Sequence, residues 1–157
     1  MTICSWIAIP VPGGIVMTLQ TLAVSVCGYF LGVPSAVASL GCYLAVGIVG
    51  IPVFSGFSVG IGVLIGPTGG FLYGFFAIAV LCGRASGKSK MVVRILLGFA
   101  GLVICHICGI VHFVLVTDAD FRASALAVSL PYIIKDAISV VLAQWLAQKL
   151  NRTVLKF

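Results

Sequence analysis

The chain has 157 residues, of which 62% are apolar and only 8% charged; its mean hydropathy is +1.30 and its net charge +6. A soluble domain carries about 25% charged residues and needs them to cover its surface, so this composition excludes a water-soluble globular protein and requires lipid as the solvent. The length allows one compact unit, a single transmembrane domain over residues 1–157, and the basic excess falls in two short clusters beside hydrophobic runs, where it reports membrane topology and not nucleic-acid binding.

In chain order, Met1–Ile9 is apolar but too short to cross a bilayer. It reads as the tail of a first helix, with neither the basic region nor the cleavage site of a secretory signal, so that the gene start is set too late or the chain is naturally shortened. A helix needs about 20 apolar residues to cross roughly 30 Å of hydrocarbon. Five windows between turn signals meet that need, at about Ile15–Gly32, Ser35–Gly50, Gly66–Gly83, Val92–Val116 and Val128–Gln148. Pro34, Pro52, Pro67 and Pro131 fall near their ends, where proline is tolerated. A closed β-barrel would alternate polarity over about ten-residue segments, whereas these runs are apolar all round. The expected fold is therefore all-α, a polytopic membrane bundle of five full transmembrane helices plus the remnant of a first.

No charged side chain precedes Arg84. Arg84, Lys88, Lys90 and Arg94 form one basic cluster, and Lys149, Arg152 and Lys156 the other. Basic residues in short loops favour the cytoplasm, and two spans separate the clusters, so both lie on the same inner side. Segments 10–17, 51–65 and 117–127 then face outward. Asn151-Arg152-Thr153 matches a glycosylation acceptor but sits in the cytoplasmic tail. Gly87-Lys88-Ser89 resembles the end of a phosphate-binding loop, yet Cys82 stands where that loop requires glycine, which argues against ATP binding. The six cysteines, at 4, 27, 42, 82, 105 and 108, lie in apolar stretches and read as small buried hydrophobes; Cys105, His106 and Cys108 lack a second ligand pair for a metal.

Ionisable groups inside a span cost roughly 2.5 kcal/mol or more on insertion scales, so Lys135 and Asp136 stand out. They are either a local ion pair with a snorkelling lysine or the polar anchor of a ligand. His106 and His112 read as structural, each satisfied by a carbonyl of a neighbouring helix. Thr18, Gln20 and Thr21 place three polar side chains within one turn, where they either bond to adjacent helices or line a cavity. Gly56, Gly60, Gly62, Gly66, Gly69 and Gly70, with Phe54 and Phe57 among them, offer either close helix packing or a backbone that a ligand can approach between flat apolar walls. All three features fall on the predicted outer face, which points to a pocket for a small molecule with apolar and polar parts. No nucleophile and base pair accompanies them, and the expected protein is not an enzyme and holds no cofactor.

The run Ile9-Pro10, MTLQTLAV, and then GVPSAVASLGCYLAVGIVGIPVFSGFSVGIGVLIGPTGGFLYGF resembles the BioY family, the biotin-specific substrate-binding components of energy-coupling-factor (ECF) transporters, over nearly the whole chain. The resemblance implies a six-helix bundle in the cell membrane that captures biotin from outside, then docks with a transmembrane coupling subunit and two ATPase subunits that power release inward. It places Asp136, Lys135, Thr18, Gln20, Phe54, Gly56, Phe57 and Gly69 at the biotin site, and Ala36, Ser39, Gly41 and Gly47 suit close approach to a partner. The family's Asp-x-x-Lys pattern is broken: Asp136 fits the aspartate, but Ser139 occupies the lysine position. Lys135, stacked one turn nearer the outside on the same face, is the candidate to take its place. That departure leaves a component for another vitamin, or a truncated non-transporting fragment, as the alternatives.

Overall fold

The computed structural model describes residues 1–10, 16–87 and 90–154. Lys88 and Lys156 of the basic clusters, Ser89, and residues 11–15, which belong to the expected outer segment and include the first residue of the first expected span, lie outside the described residues. Helix α1 (Thr2–Trp6) leads into a two-stranded antiparallel hairpin, β1 (Ala8–Pro10) and β2 (Val16–Thr18), with Ile9 opposite Met17. Then come α2 (Gln20–Leu31), α3 (Val33–Ile48), a 3₁₀ turn at Ser55–Phe57, α4 (Gly62–Ile65), α5 (Gly69–Ala85), α6 (Met91–Thr117), α7 (Phe121–Val128) and α8 (Leu130–Val154).

Helices α6 and α8, of 27 and 25 residues, are about 40 and 38 Å long at 1.5 Å per residue and cross a bilayer with length to spare. Helices α2, α3 and α5 have 12, 16 and 17 residues, about 18 to 26 Å, and so are shorter than five full spans require. The shortfall in α2 and α5 lies at one end of the bundle, where the hairpin and α4 replace helix. Irregular backbone at membrane depth persists only where protein encloses it or where it lines a cavity, and here it does both. The last window is carried by the single helix α8, which begins just after the chain breaks at Ser129. Met1–Ile9 forms the short α1 and the start of the first strand.

Without a hydrophobic drive between helices in lipid, close van der Waals packing at small residues must hold the bundle. Helix α5 packs most extensively against α6. A Cβ on Gly74 would stand 2.6 Å from Cys105 Cα, and one on Gly101 2.9 Å from Ile78 Cα, so the two backbones run in direct contact. Gly28 of α2 meets Cys82 and Ala79 of α5 in the same way. Val24, Tyr29, Leu40, Ile78, Val140 and Ala143 fill the interior, and the Tyr29 hydroxyl donates to the Arg94 carbonyl at 2.8 Å, tying α2 to the first turn of α6. Gln144 of α8 is 0% exposed, and neither atom of its amide has a hydrogen-bond partner among the described residues.

Large apolar side chains also cover the outside. Leu115 is 74% and Ile134 71% exposed, with Val103, Ile107, Val111, Ile138 and Trp145 beside them on α6 and α8, a band far beyond what a soluble monomer exposes and suited to acyl chains. Cysteine burial is uneven: Cys82 and Cys105 are enclosed, but Cys42 lies on the exposed face of α3, because in a membrane a small apolar residue is equally at home facing lipid. Ala36 and Gly47 are likewise not available to a partner; Ala36 is buried, and Gly47 receives the ring of Phe54. Ser39 and Gly41 are half-buried. Arg84, Lys90, Arg94, Lys149 and Arg152 gather at one end of the bundle, since α2, α5 and α8 run towards it while α3 and α6 run away.

A cavity at the end opposite the basic residues

The irregular segments and the first turns of α2, α5 and α8 enclose a cavity of about 410 Å³. Gln20 and Thr21 of α2 and Tyr132, Lys135 and Asp136 of α8 supply its polar wall; Phe54, Phe71, Leu72 and Phe75 supply its apolar one. Ser55, Gly56, Ser58, Gly62 and Gly66 close the far side.

The polar wall is knit across the chain. Lys135 forms an ion pair with the neighbouring Asp136, and its ammonium donates to the Thr18 carbonyl at 2.6 Å. The amide Nε2 of Gln20 donates to Tyr43 Oη at 2.8 Å, and Tyr43 in turn donates to the Val53 carbonyl at 3.0 Å. Ser5 Oγ donates to that same carbonyl at 2.5 Å, so α1 holds the loop from behind. Thr18 Oγ1 donates to Gln20 Oε1 at 3.0 Å. Thr18, Gln20, Lys135 and Asp136 are therefore each held by a partner on another segment or by a neighbour, which fixes their orientation.

Of the eight expected site residues, Thr18, Gln20, Phe54, Gly56, Lys135 and Asp136 line the cavity. Phe57 and Gly69 do not. Gly56 takes φ 64° and Phe57 φ 60°, a left-handed pair that reverses the chain; it leaves Phe54 buried and turns Phe57 out to 61% exposure, tilted against Trp6 with ring centroids 5.1 Å apart. Gly69 lies under α4, where the Leu64 carbonyl occupies the space a Cβ would need. Ser139 turns its hydroxyl back onto the Lys135 carbonyl at 2.9 Å and does not line the cavity, whereas Lys135, one turn nearer the cavity end, does. Phe71, Phe75, Cys105 and Tyr132 belong to the wall without having announced themselves: an aromatic or cysteine in an apolar run carries no signal of its own, though Tyr132, Lys135 and Asp136 share one helical face at i, i+3 and i+4.

The histidines part company. His112 Nε2 meets the Gly66 carbonyl at 3.1 Å, the structural tie expected of it. His106 instead meets side chains: Nδ1 lies 2.7 Å from Ser129 Oγ, and Nε2 lies 3.4 Å from Asp136 Oδ2. Its neighbours Cys105 and Cys108 are free thiols, and no group of three or more metal-binding side chains occurs among the described residues.

Fold and cavity together define a polytopic membrane helix bundle with a chamber for a small amphiphilic solute at the end away from its basic loops. The sequence profile of the BioY family matches residues 1–156, and the chain belongs to that family. It is 35% identical over 150 residues to the biotin transporter BioY of Thermotoga maritima, covering 94% of this chain and 87% of that one. It is 33% identical over 139 residues to the probable biotin transporter BioY of Pyrococcus horikoshii, covering 88% and 82%. A crystal structure described as the S-component for biotin from an ECF-type ABC transporter superposes with a TM-score of 0.88 over 96% of this chain and 84% of that chain, at 20% identity; it shares the fold.

Proposed function

We propose that this protein is the capture component of a biotin uptake system, binding biotin from the outer side of the cell membrane and handing it inward. Biotin joins a compact bicyclic ring with apolar faces and a ureido group to an aliphatic chain that ends in a carboxylate. The observation that carries the reading is the Lys135–Asp136 pair set into an otherwise aromatic and glycine-lined cavity. Asp136 accepts a hydrogen bond from a ureido N–H while its ion pair with Lys135 keeps it charged, and Lys135 is the cation for the ligand's carboxylate. Phe54, Phe71 and Phe75 pack the ring and the chain, and Thr18, Gln20 and Thr21 orient the polar end. The protein itself carries out no reaction; a transmembrane coupling subunit joins it to two ATPase subunits that supply the energy.

The test is equilibrium binding of labelled biotin to the purified chain in detergent, with excess unlabelled thiamine and riboflavin as competitors. Saturable binding displaced by biotin alone is expected, together with marked weakening by Lys135→Ala and by Asp136→Asn. Absence of saturable binding, or displacement by another vitamin, overturns the reading, and unchanged affinity in Lys135→Ala removes that residue from it.

A further inference from the structure

His106 stands directly behind the polar wall of the cavity, 6% exposed, and its ring is held on three sides. Ser129 Oγ is 2.7 Å from Nδ1, Phe71 meets the ring edge-to-face with centroids 5.8 Å apart, and Asp136 Oδ2 lies 3.4 Å from Nε2. A neutral imidazole has one N–H and one bare nitrogen. A bare Nε2 would set its lone pair against the carboxylate, so the arrangement that satisfies both ends has the Ser129 hydroxyl donating to Nδ1 and Nε2–H facing Asp136. The hydrogen bond at one ring nitrogen thereby decides what the other presents.

Ser129 is well placed to make that decision. It occupies the break between α7 and α8, where its N–H donates to Ala125 O at 3.2 Å and its carbonyl accepts from the N–H groups of Tyr132 and Ile133 at 3.0 and 3.1 Å. Its backbone is fixed by both helices, and its hydroxyl is aimed at the ring from that fixed point. The two oxygens of Asp136 face different partners, Oδ1 towards Lys135 and Oδ2 towards His106, with the Thr21 side chain as a further hydrogen-bond partner; together they set the plane of the carboxylate at the cavity wall. At 3.4 Å the histidine contact is longer than the usual 2.9–3.0 Å of an N–H···O bond; it orients the carboxylate through charge and dipole and leaves the acceptor's capacity for the ligand.

We propose that His106 is a positioning residue for the Asp136 carboxylate, with Ser129 selecting its tautomer. This rests on Asp136 being the acceptor that meets the ligand, as proposed above.

Two readouts test it, one of which needs no ligand. The chain has two histidines, and ring ¹⁵N spectra of the solubilised protein, with His106→Gln assigning the signals, report the tautomer directly. An Nε2–H tautomer in the unaltered protein that becomes mixed in Ser129→Ala is expected; an Nδ1–H tautomer, a doubly protonated ring, or a spectrum indifferent to Ser129→Ala overturns the proposal. In biotin binding, Ser129→Ala weakens affinity about fivefold, the worth of one hydrogen bond. His106→Leu weakens it more, and His106→Gln, whose amide N–H still faces Asp136, largely restores it. In the His106→Gln background Ser129→Ala has no further effect, because no tautomer remains to be set; an equal loss in both backgrounds assigns Ser129 to the helix break alone and overturns the proposal. If the unaltered chain fails to bind biotin, the functional reading falls while the ¹⁵N measurement still decides this one.

Discussion

The Lys135 ammonium donates to the Thr18 carbonyl across 117 residues of chain, at 2.6 Å. One side chain of α8 thus closes the last residue of the hairpin onto the cavity, in the same contact set that neutralises Asp136. Removing one member of a buried pair leaves an uncompensated charge at a cost of about 3–5 kcal/mol, whereas replacing both with apolar residues is often neutral. Lys135→Ala is therefore expected to lower the thermal midpoint of the solubilised protein as well as its affinity. The double variant Lys135→Met with Asp136→Leu regains the midpoint but not the binding, a separation that thermal unfolding and labelled-biotin binding measure together.

Gln144 gives the opposite sign. Its amide is fully enclosed without a hydrogen-bond partner among the described residues, and an unsatisfied buried polar group costs about 1–3 kcal/mol. Gln144→Met keeps the side-chain length and removes the polar atoms, so the thermal midpoint rises and biotin affinity is unchanged. A fall in the midpoint counts against this account.

The seam between α5 and α6 is expected to be intolerant of bulk. Gly74→Val drives two methyl groups at the Cys105 backbone, and overpacking of a tight contact costs about 1–3 kcal/mol or more. Gly41→Ala, which meets nothing within 4 Å, is the matched control. Thermal unfolding distinguishes them, with Gly74→Val lowered and Gly41→Ala unmoved.

Tyr43→Phe removes a hydroxyl that links Gln20 to the Val53 carbonyl. The carbonyl keeps its bond from Ser5, so the loss falls on Gln20, whose amide N–H must find a new acceptor beside the cavity. Affinity drops about fivefold, the value of one hydrogen bond, in equilibrium binding, while Ser5→Ala leaves Gln20 bonded and affects binding less.

The orientation is open to direct labelling. With Cys42 replaced by Ser, a cysteine introduced by Asp118→Cys is expected to react with a membrane-impermeant maleimide added outside intact cells, and one introduced by Lys149→Cys only after the membrane is opened. The reverse pattern would invert the topology drawn from the basic loops.

The places of the five apolar runs were legible because glycine and proline punctuate them, and the Lys135–Asp136 pair because charge inside a span has few innocent explanations. The lengths of α2 and α5 were not. Val16–Thr18 is as apolar as the helix it precedes, so hydropathy cannot distinguish a three-residue strand from another helical turn; only the pairing of Ile9 with Met17 does. Phe54 and Phe57 look alike in sequence, and a reversal at Gly56 and Phe57 sends them to opposite sides of the loop. His106 looked like His112 until Ser129, 23 residues away, came within 2.7 Å of its ring. Contacts of that separation are set by how helices stack, which no local pattern records.

The first 83 residues carry no charged side chain, and Lys135 with Asp136 sums to zero. A transmembrane voltage does about 2.3 kcal/mol of work per elementary charge for each 100 mV, and in the described spans, short of the basic end marked by Arg84, Arg94, Lys149 and Arg152, it finds no net side-chain charge to act upon. An anionic cargo travelling towards a negative interior therefore meets the electric field alone, and the electrical work of its passage is that of the cargo's own charge.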